Sequence, residues 1–429
     1  MKVVIVGAGF SGCSAAIAAR MQGAEVVLVE RTDLVLGCGL VGGIMRNNGR
    51  FTAAEEMLAM GGGEMFRITD SITLHRNVEF PGHHHAWLYD ARVIEQTVRA
   101  ALLEHGVELH LGARVDEVEM KGRVIRAVGG KQGKGEARFE GDAFIDASGT
   151  AGGPPQCTKH GNGCVMCVLR CPSFGGRVSI TAKCGVKEMA GMTGGRLGAM
   201  SGSCELRKES LSDEVLSRLE ETGVAIIPLP QELRSGGKLA IKACQQYTDT
   251  AYSDNVIILH TGHAKLMTTH FPLELLRKVP GLEKARYQDP YAGGLGNSIR
   301  FIGMAPRDDR LKVTGVENLF CAGEKAGLLV GHTEAIVTGT LAGYNAANAA
   351  ADRKTVAYPG TLAVGDAISC VRRGMETEEG LGVKYTFSGS VYFDRMVKMG
   401  LYETDVEKIR LRVDKAGMTG FFAKAGRSG

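Results

Sequence analysis

The sequence predicts an α/β protein in which a Rossmann-type nucleotide-binding domain is interrupted by a mixed α+β substrate domain and closed by a helical C-terminal cap. Three observations support this prediction. The first thirty residues read as strand, glycine turn, helix and strand, a later apolar strand runs into a second glycine turn near residue 150, and a third strand precedes a long helix of small residues. These segments divide the chain into a first nucleotide-binding part, an insertion, a second nucleotide-binding part and the cap, at residues 1–152, 153–300, 301–351 and 352–429.

The composition narrows the classes of function. The 429 residues are 44% hydrophobic, yet no apolar run is long enough to predict a membrane span. The first residues, MKVVIVGAGF, lack the features of a signal peptide, so we expect a cytoplasmic protein. In that reducing compartment the eleven cysteines are expected to bind metal, act in catalysis or lie buried, rather than form disulfides. The net charge of +4 suits anionic ligands but is low for a nucleic-acid-binding protein.

The first glycine turn predicts a dinucleotide site. Gly7, Gly9 and Gly12 form G-x-G-x-x-G where the first strand meets the first helix. In this motif the first glycine permits the turn, the second lets a pyrophosphate approach the backbone, and the third lets the helix pack closely. Glu30 ends the second strand eighteen residues after Gly12, where a carboxylate can accept hydrogen bonds from ribose hydroxyls, and Arg31 follows it.

Two later segments indicate FAD rather than NAD. The stretch FEGDAFIDASGTAG is a strand that runs into an A-x-G turn, and NLFCAGEKAG is a strand followed by the helical stretch TEAIVTGTLAGYNAA. This order resembles the glutathione-reductase-like class of flavoproteins over residues 1–351 in outline. The resemblance implies an FAD cofactor whose contacts in the two later segments include Ala147, Gly149, Gly323, Glu324, Gly331, His332 and Thr333.

A closer resemblance concerns the C-terminal half of the chain. The stretch FPLELLRKVPGLEKARY, together with the last strand and helix, resembles the GidA-related branch of these flavoproteins. That branch includes folate-dependent tRNA uracil methyltransferases and proteins that modify tRNA uridine. The stretch YDARVIEQTVRAALLEHGVELHLGARV resembles a broader group, the FAD-dependent oxidoreductases related to the flavin subunit of heterodisulfide reductase. The motifs specify FAD but do not specify the substrate.

A run of cysteines in the insertion suggests a metal centre. Cys164, Cys167 and Cys171, which precedes a proline, form C-x-x-C-x-x-x-C-P, and Cys157 lies seven residues upstream of the first of them. This spacing matches the end of the ferredoxin pattern, so we expect a [4Fe–4S] cluster on the four thiolates. Zinc on the same four ligands, thiol redox chemistry at the C-x-x-C pair, and burial without function are the alternatives.

Four residues are candidates for catalysis. Cys38 lies in a loop after the second strand that often faces the flavin ring, where a thiol could attack a substrate. Arg46 lies in IMRNNGR, whose arginines and amides could clamp a carboxylate or phosphate. His83 and His85 would share one face of a strand and could act as acid and base, although a surface loop with no function explains the histidine run as well.

These observations predict an FAD-dependent oxidoreductase that passes electrons between a small-molecule substrate and an acceptor through the cysteine cluster. An electron-transfer protein would be its partner. The alternative is a folate- and FAD-dependent enzyme that modifies uridine in RNA, which the resemblance to the GidA-related branch supports and the low net charge opposes.

Overall fold

The structure is a computed structural model that describes most of the chain. The described residues are 1–149, 171–193, 196–197, 199–200, 204–234, 250–268, 271–289, 299–300 and 303–424.

Short strands make up much of the described chain. In chain order they are β1 (Lys2–Val6), β2 (Glu25–Val29), β3 (Ile44–Arg46), β4 (Thr73–Phe80), β5 (His83–Tyr89), β6 (Glu108–His110), β7 (Ala113–Lys121), β8 (Val124–Gln132), β9 (Gly135–Glu140), β10 (Ala143–Asp146), β11 (Met189–Ala190), β12 (Met192–Thr193), β13 (Arg196–Leu197), β14 (Ala199–Met200), β15 (Cys204–Leu206), β16 (Val224–Pro228), β17 (Asn255–Thr261), β18 (His263–Leu266), β19 (Ile299–Arg300), β20 (Gly303–Met304) and β21 (Leu319–Cys321).

Helices lie between the strands and fill most of the C-terminal region. They are α1 (Phe10–Met21), α2 (Gly49–Ala59), α3 (Glu64–Ser71), α4 (Ile94–Glu104), α5 (Cys171–Phe174), α6 (Ile180–Lys183), α7 (Asp213–Thr222), α8 (Thr250–Asp254), α9 (Leu273–Leu276), α10 (His332–Ala350), α11 (Ala363–Gly374), α12 (Glu378–Gly382), α13 (Ser390–Lys398), α14 (Val406–Lys415) and α15 (Phe421–Lys424). The described part of the chain also contains 3-10 helices at Gly37–Val41, Lys208–Ser210, Gln231–Leu233 and Gly323–Ala326. Among the described residues, no helix combines the length and the apolar character that crossing a membrane requires.

A five-stranded sheet forms the nucleotide-binding domain and confirms the predicted α/β class. Its order is β21-β10-β1-β2-β6, and every neighbouring pair is parallel. Strands β1, β2, β10 and β21 are almost entirely buried, which accounts for their apolar sequences. Helices α1 and α10 pack tightly against each other beside this sheet, since added Cβ atoms at Gly339 and Gly343 would overlap the carbonyl oxygens of Ser11 and Ala15. Strands β7, β8 and β9 form a separate antiparallel meander.

The inserted region has a sheet and a core of its own. Strands β15, β18, β17 and β16 form an antiparallel sheet in that order, and α7 packs on it through Val215 and Leu219. The side chain of Ser212 caps α7 by accepting a hydrogen bond from the N–H of Val215 at 3.3 Å.

A small sheet from the first part of the chain packs against this insertion. Strands β3, β5 and β4 form an antiparallel sheet whose Ile44 and Leu88 share a hydrophobic cluster with Ile257 and Leu259 of β17. The region beside the nucleotide-binding domain is therefore assembled from two chain segments, residues 44–89 and the insertion, rather than from the insertion alone.

The C-terminal helices are anchored to the rest of the molecule by a buried carboxylate. Glu56 of α2 accepts hydrogen bonds from the N–H groups of Ala363 and Val364, at 3.0 and 3.1 Å, at the start of α11. Arg412 of α14 donates to the same carboxylate at 3.4 Å. Burial raises the pKa of Glu56 to about 7, against the lowering effect of these three donors. The helical C-terminal region is thus tied to α2, one of the elements next to the cavity described below.

Candidate functional site

A cavity of about 270 Å³ extends from the first glycine turn to the start of α10. Its walls are formed by residues of both nucleotide-binding parts, the inserted region and the C-terminal region. The glycine turn, the end of β2 and the A-x-G turn line one end, whereas the 3-10 helix Gly37–Val41, the start of α10, the inserted sheet and the C-terminal region line the other. An elongated ligand can therefore reach from the parallel sheet to the inserted domain within one enclosure.

Each glycine of the first turn has a distinct structural role. An added Cβ at Gly7, whose φ is +102°, would overlap the carbonyl oxygen of Ala147, and one at Gly12 would overlap the carbonyl oxygen of Gly7. These two positions need glycine to close the turn. At Gly9 an added Cβ would meet no atom within 4 Å, and the residue lines the cavity. The open space beside Gly9 is thus where a ligand can contact the backbone.

Glu30 directly follows β2, and protein groups satisfy part of the hydrogen-bonding capacity of its carboxylate. One oxygen accepts from the N–H of Ala8 at 2.9 Å, and the other accepts from the N–H and the hydroxyl of Thr32 at 2.9 and 3.0 Å. A carboxylate has about four lone-pair sites, so these three bonds leave capacity for a hydroxyl of a ligand. The same bonds fix the orientation of the side chain toward the turn.

Three guanidinium groups line the cavity near the turns. Arg31 donates to the carbonyl of Gly175 at 2.7 Å, and Arg114 donates to the carbonyl of Gly176 at 3.0 Å. Arg177 lies beside Gly149 and 4.0 Å from the sulfur of Cys38. Positive charge at this end favours an anionic ligand such as a pyrophosphate.

At the other end, α10 points its N-terminus into the cavity. An added Cβ at Gly42 would overlap the ring of His332, so the loop after the 3-10 helix and the start of α10 lie in contact. The hydroxyl of Tyr89 donates to the carbonyl of Gly39 at 2.6 Å and lies 3.4 Å from Nδ1 of His332. Burial raises the pKa of Tyr89, so its hydroxyl remains protonated. The 19-residue helix places the positive end of its dipole at this point.

Cationic side chains also line the cavity near the start of α10. Lys265 of β18 is only 5% exposed and donates to the carbonyl of Val41 at 2.5 Å. Lys384, from the segment that precedes α13, is 7% exposed and lines the same cavity. Arg50 also lines the cavity and donates through Nε to both carboxylate oxygens of Glu334 at 3.0 Å. This end of the cavity is suited to a small anion.

The structure brings together most of the residues that the sequence singled out. Among the predicted cofactor contacts, those that line the cavity are Gly7, Gly9, Glu30, Arg31, Ala147, Gly149, Gly323, Glu324, Gly331 and His332. Gly12 instead lies behind the turn. Thr333 is buried, and its hydroxyl donates to the carbonyl of Met45 at 2.5 Å. Cys38 and His83, two of the four predicted catalytic residues, also line the cavity.

Arg46 and His85 are not among the residues that line the cavity. The guanidinium of Arg46 pairs with Glu55 and Asp70 and lies 4.4 Å above the ring of Trp87, so its charge is satisfied within the fold. His85 has a φ of +54°, and the pairing of β4 with β5 shifts register near it. This irregularity breaks the alternation from which we expected His83 and His85 to share a face.

The predicted metal ligands Cys157, Cys164 and Cys167 lie outside the described residues. The backbone of Cys171 begins α5, but its side chain is likewise outside the description. Within the described ranges, no group of three or more histidine, cysteine, aspartate or glutamate residues is arranged to hold a metal ion.

Comparisons with known proteins agree with this geometry. Residues 2–152 match the family model described as FAD dependent oxidoreductase, and residues 248–354 match the model described as glucose inhibited division protein A, or GidA. The chain is an FAD-dependent oxidoreductase, and part of it is similar to GidA. The comparison with curated proteins found no match.

Two solved structures share the fold over nearly the whole chain. Both are crystal forms of GidA from Aquifex aeolicus. Form II has a TM-score of 0.67 and is 16% identical in sequence. The matched region covers 99% of this chain and 73% of the GidA chain. Form I has a TM-score of 0.64 and is 14% identical in sequence. The matched region covers 99% of this chain and 78% of the GidA chain. These similarities show the fold.

The residues of the cavity fit FAD. The open backbone at Gly9 and the nearby arginines suit the pyrophosphate, and Glu30 keeps an acceptor site for the ribose. The start of α10 and the 3-10 helix Gly37–Val41 enclose the end where the ring system would lie. The sequence analysis missed Lys265 and Lys384 as cavity residues. The position of the first, between Ala264 and Leu266 in β18, was the one signal that could have identified it.

Gly9 offers a selective test of the cofactor site. We expect Gly9→Ala to fold normally but to lower the affinity for FAD, because its methyl group meets no protein atom and occupies the space of the pyrophosphate. The measurement is the dissociation constant of FAD for the apoprotein by flavin fluorescence, together with the thermal unfolding midpoint. Gly360→Ala is the matched control, since an added Cβ there also meets nothing within 4 Å. Equal FAD affinity in both variants would contradict the assignment.

Proposed function

We propose that this FAD-dependent oxidoreductase exchanges electrons with a small anionic substrate that binds at the α10 end of the cavity. The observation that supports the proposal is the continuity of the cavity. It runs from the dinucleotide turn to a wall that carries the buried Lys265 and Lys384. Buried cations that line an enclosed space favour a carboxylate or a similar anion, because a charge-assisted hydrogen bond gains strength away from water.

Different residues at this end would bind the substrate and orient it. The flavin, when bound, supplies the redox chemistry. Lys265 and Lys384 would hold the anionic group, and the hydrogen bond from Lys265 to Val41 positions its ammonium group. His332 and the N-terminus of α10 would favour negative charge on the adjacent part of the cofactor. Cys38, which lies beside Arg177, keeps its predicted role as a nucleophile toward the substrate.

Substitution of Lys265 tests the anion site. We expect Lys265→Gln to weaken the binding of small carboxylates about tenfold to a hundredfold, because it removes one charge-assisted hydrogen bond. Binding is measured from the change in the flavin absorption spectrum as acetate, succinate or benzoate is added to the holoenzyme. Lys354→Gln, at an exposed position, is the matched control and should bind as the parent protein does. If none of these carboxylates changes the spectrum of the parent protein, the site does not bind small carboxylates and the proposal is wrong.

An iron–sulfur relay remains our proposal for the route by which electrons leave the flavin, with an electron-transfer protein as acceptor. It rests on the spacing of Cys157, Cys164, Cys167 and Cys171 in the sequence. Purification without oxygen should give about four iron atoms and about four acid-labile sulfides per chain in addition to flavin absorption, as a [4Fe–4S] cluster requires. Flavin without iron or sulfide would exclude the cluster and leave zinc or thiol chemistry at these cysteines.

The second candidate function is modification of uridine in RNA. The match of residues 248–354 to the GidA model favours it. The test is a gel-shift titration with bulk tRNA over a series of salt concentrations, because contacts to phosphates weaken steeply as salt rises. Salt-sensitive binding would support this candidate over a small-molecule substrate, and the absence of binding at low salt would exclude it.

A further inference from the structure

A short segment of the inserted region lines the cavity near the first glycine turn. It comprises residues 175–178, which follow α5 and which we call the strap, and its last two residues are cavity residues. The guanidinium of Arg177 lies beside Gly149 and Gly37, since Cβ atoms added at these glycines would be 3.2 and 4.0 Å from its terminal nitrogens. The residue before Gly37 forms a β-bridge with Gly9. The strap therefore reaches the part of the cavity where the backbone of Gly9 is open.

Buried hydrogen bonds anchor the chain directly after the strap. The carboxylate of Asp146 is fully buried, and one of its oxygens accepts from the N–H and the hydroxyl of Thr181 at 3.0 and 2.8 Å. The hydroxyl of Ser179 lies between this oxygen, at 3.1 Å, and a carboxylate oxygen of Glu188, at 2.6 Å. The other oxygen of Asp146 accepts from the N–H and the hydroxyl of Ser148, in the A-x-G turn, at 3.2 and 2.5 Å. Loss of these bonds would leave a buried charge unsatisfied, so this anchor is strong.

The strap itself is held by exposed hydrogen bonds. The carbonyl of Gly175 accepts from Arg31 at 2.7 Å, and the carbonyl of Gly176 accepts from Arg114 at 3.0 Å. Water can replace an exposed hydrogen bond, so each of these contributes little to the closed position. An added Cβ at Gly176 would meet no atom within 4 Å, which shows open space on that side of the backbone. The strap is thus fixed firmly at its end and weakly in its middle.

We propose that the strap opens to admit FAD and that bound FAD stabilises its closed position. Opening breaks the two exposed hydrogen bonds at Gly175 and Gly176 and leaves the anchor at Asp146 intact. FAD in the cavity contacts the two lining residues of the strap only when the strap is closed, so binding shifts the population toward the closed form. The inserted region thereby takes part in retention of the cofactor. This inference concerns FAD alone and does not depend on the identity of the substrate.

Limited digestion with trypsin measures the opening directly, because trypsin cleaves the bond after Arg177 only when the strap is open. Apoprotein and protein with FAD are digested under native conditions, and mass spectrometry quantifies the new N-terminus at Val178. At an FAD concentration about ten times the dissociation constant, we expect cleavage after Arg177 to be about tenfold slower than in the apoprotein. Cleavage after Lys134, in the exposed turn between β8 and β9, is the control and should proceed at the same rate in both samples.

Ser179→Ala tests the anchor without changing a cavity residue. Besides its contact with Asp146, the hydroxyl of Ser179 caps α6 by accepting from the N–H of Ala182 at 3.2 Å. We expect the substitution to make FAD dissociate about fivefold faster, the effect of losing one cap, because it loosens the end of the strap. The measurement is the rate at which flavin fluorescence appears after the holoenzyme is diluted. Ser212→Ala, which removes the same kind of cap from α7, is the matched control and should release FAD as the parent protein does.

Either experiment can overturn the inference. Equal cleavage after Arg177 with and without FAD would show that the cofactor does not stabilise the closed strap. Equal rates of FAD dissociation from the Ser179→Ala and Ser212→Ala variants would show that the anchor does not retain the cofactor. Neither result would change the response of the flavin spectrum to carboxylates, so the proposed function stands or fails separately.

Discussion

The buried carboxylate of Glu334 holds the functional end of the molecule together. It receives Nε of Arg50, the hydroxyl of Thr386 at 2.6 Å and the N–H of Phe387 at 2.9 Å. These donors come from the first part of the chain and from the segment before α13, whereas Glu334 itself lies in the first turn of α10. A buried carboxylate is stable only when its lone pairs are satisfied. The wall of the cavity therefore depends on two distant segments that reach one side chain of a third.

This convergence explains how the cavity obtains its cationic wall. The segment that reaches Glu334 through Thr386 and Phe387 also carries Lys384 and Ser388 to the cavity. The small sheet of β3, β5 and β4 carries His83 and packs on β17, which is paired with β18 and its Lys265. The nucleotide-binding domain thus lines one end of the cavity, and the other segments line the end where we propose that the substrate binds.

Local sequence patterns bring the expected cofactor residues to one cavity. Gly7, Gly9 and Glu30 act within one continuous strand–turn–helix–strand unit, so their spacing alone fixes their positions. The substrate half could not be predicted in this way. Lys265 and Lys384 are 119 residues apart and meet only through long-range packing. The strand alternation that paired His83 with His85 failed because a positive φ at His85 and shifts in register interrupt β5. Arg46 was a reasonable candidate by residue type, but its charge is used within the fold by Glu55 and Asp70.

The most direct test of this account is a crystal structure of the holoenzyme with FAD. The account predicts that the pyrophosphate lies against the backbone of Gly9 and that the ring system lies between the 3-10 helix Gly37–Val41 and His332. It also predicts that a space for a small anion remains beside Lys265, Lys384 and His83. A ring system that fills this space, or an FAD that lies outside the cavity, would contradict the claim that a cofactor site and an anion site share one enclosure.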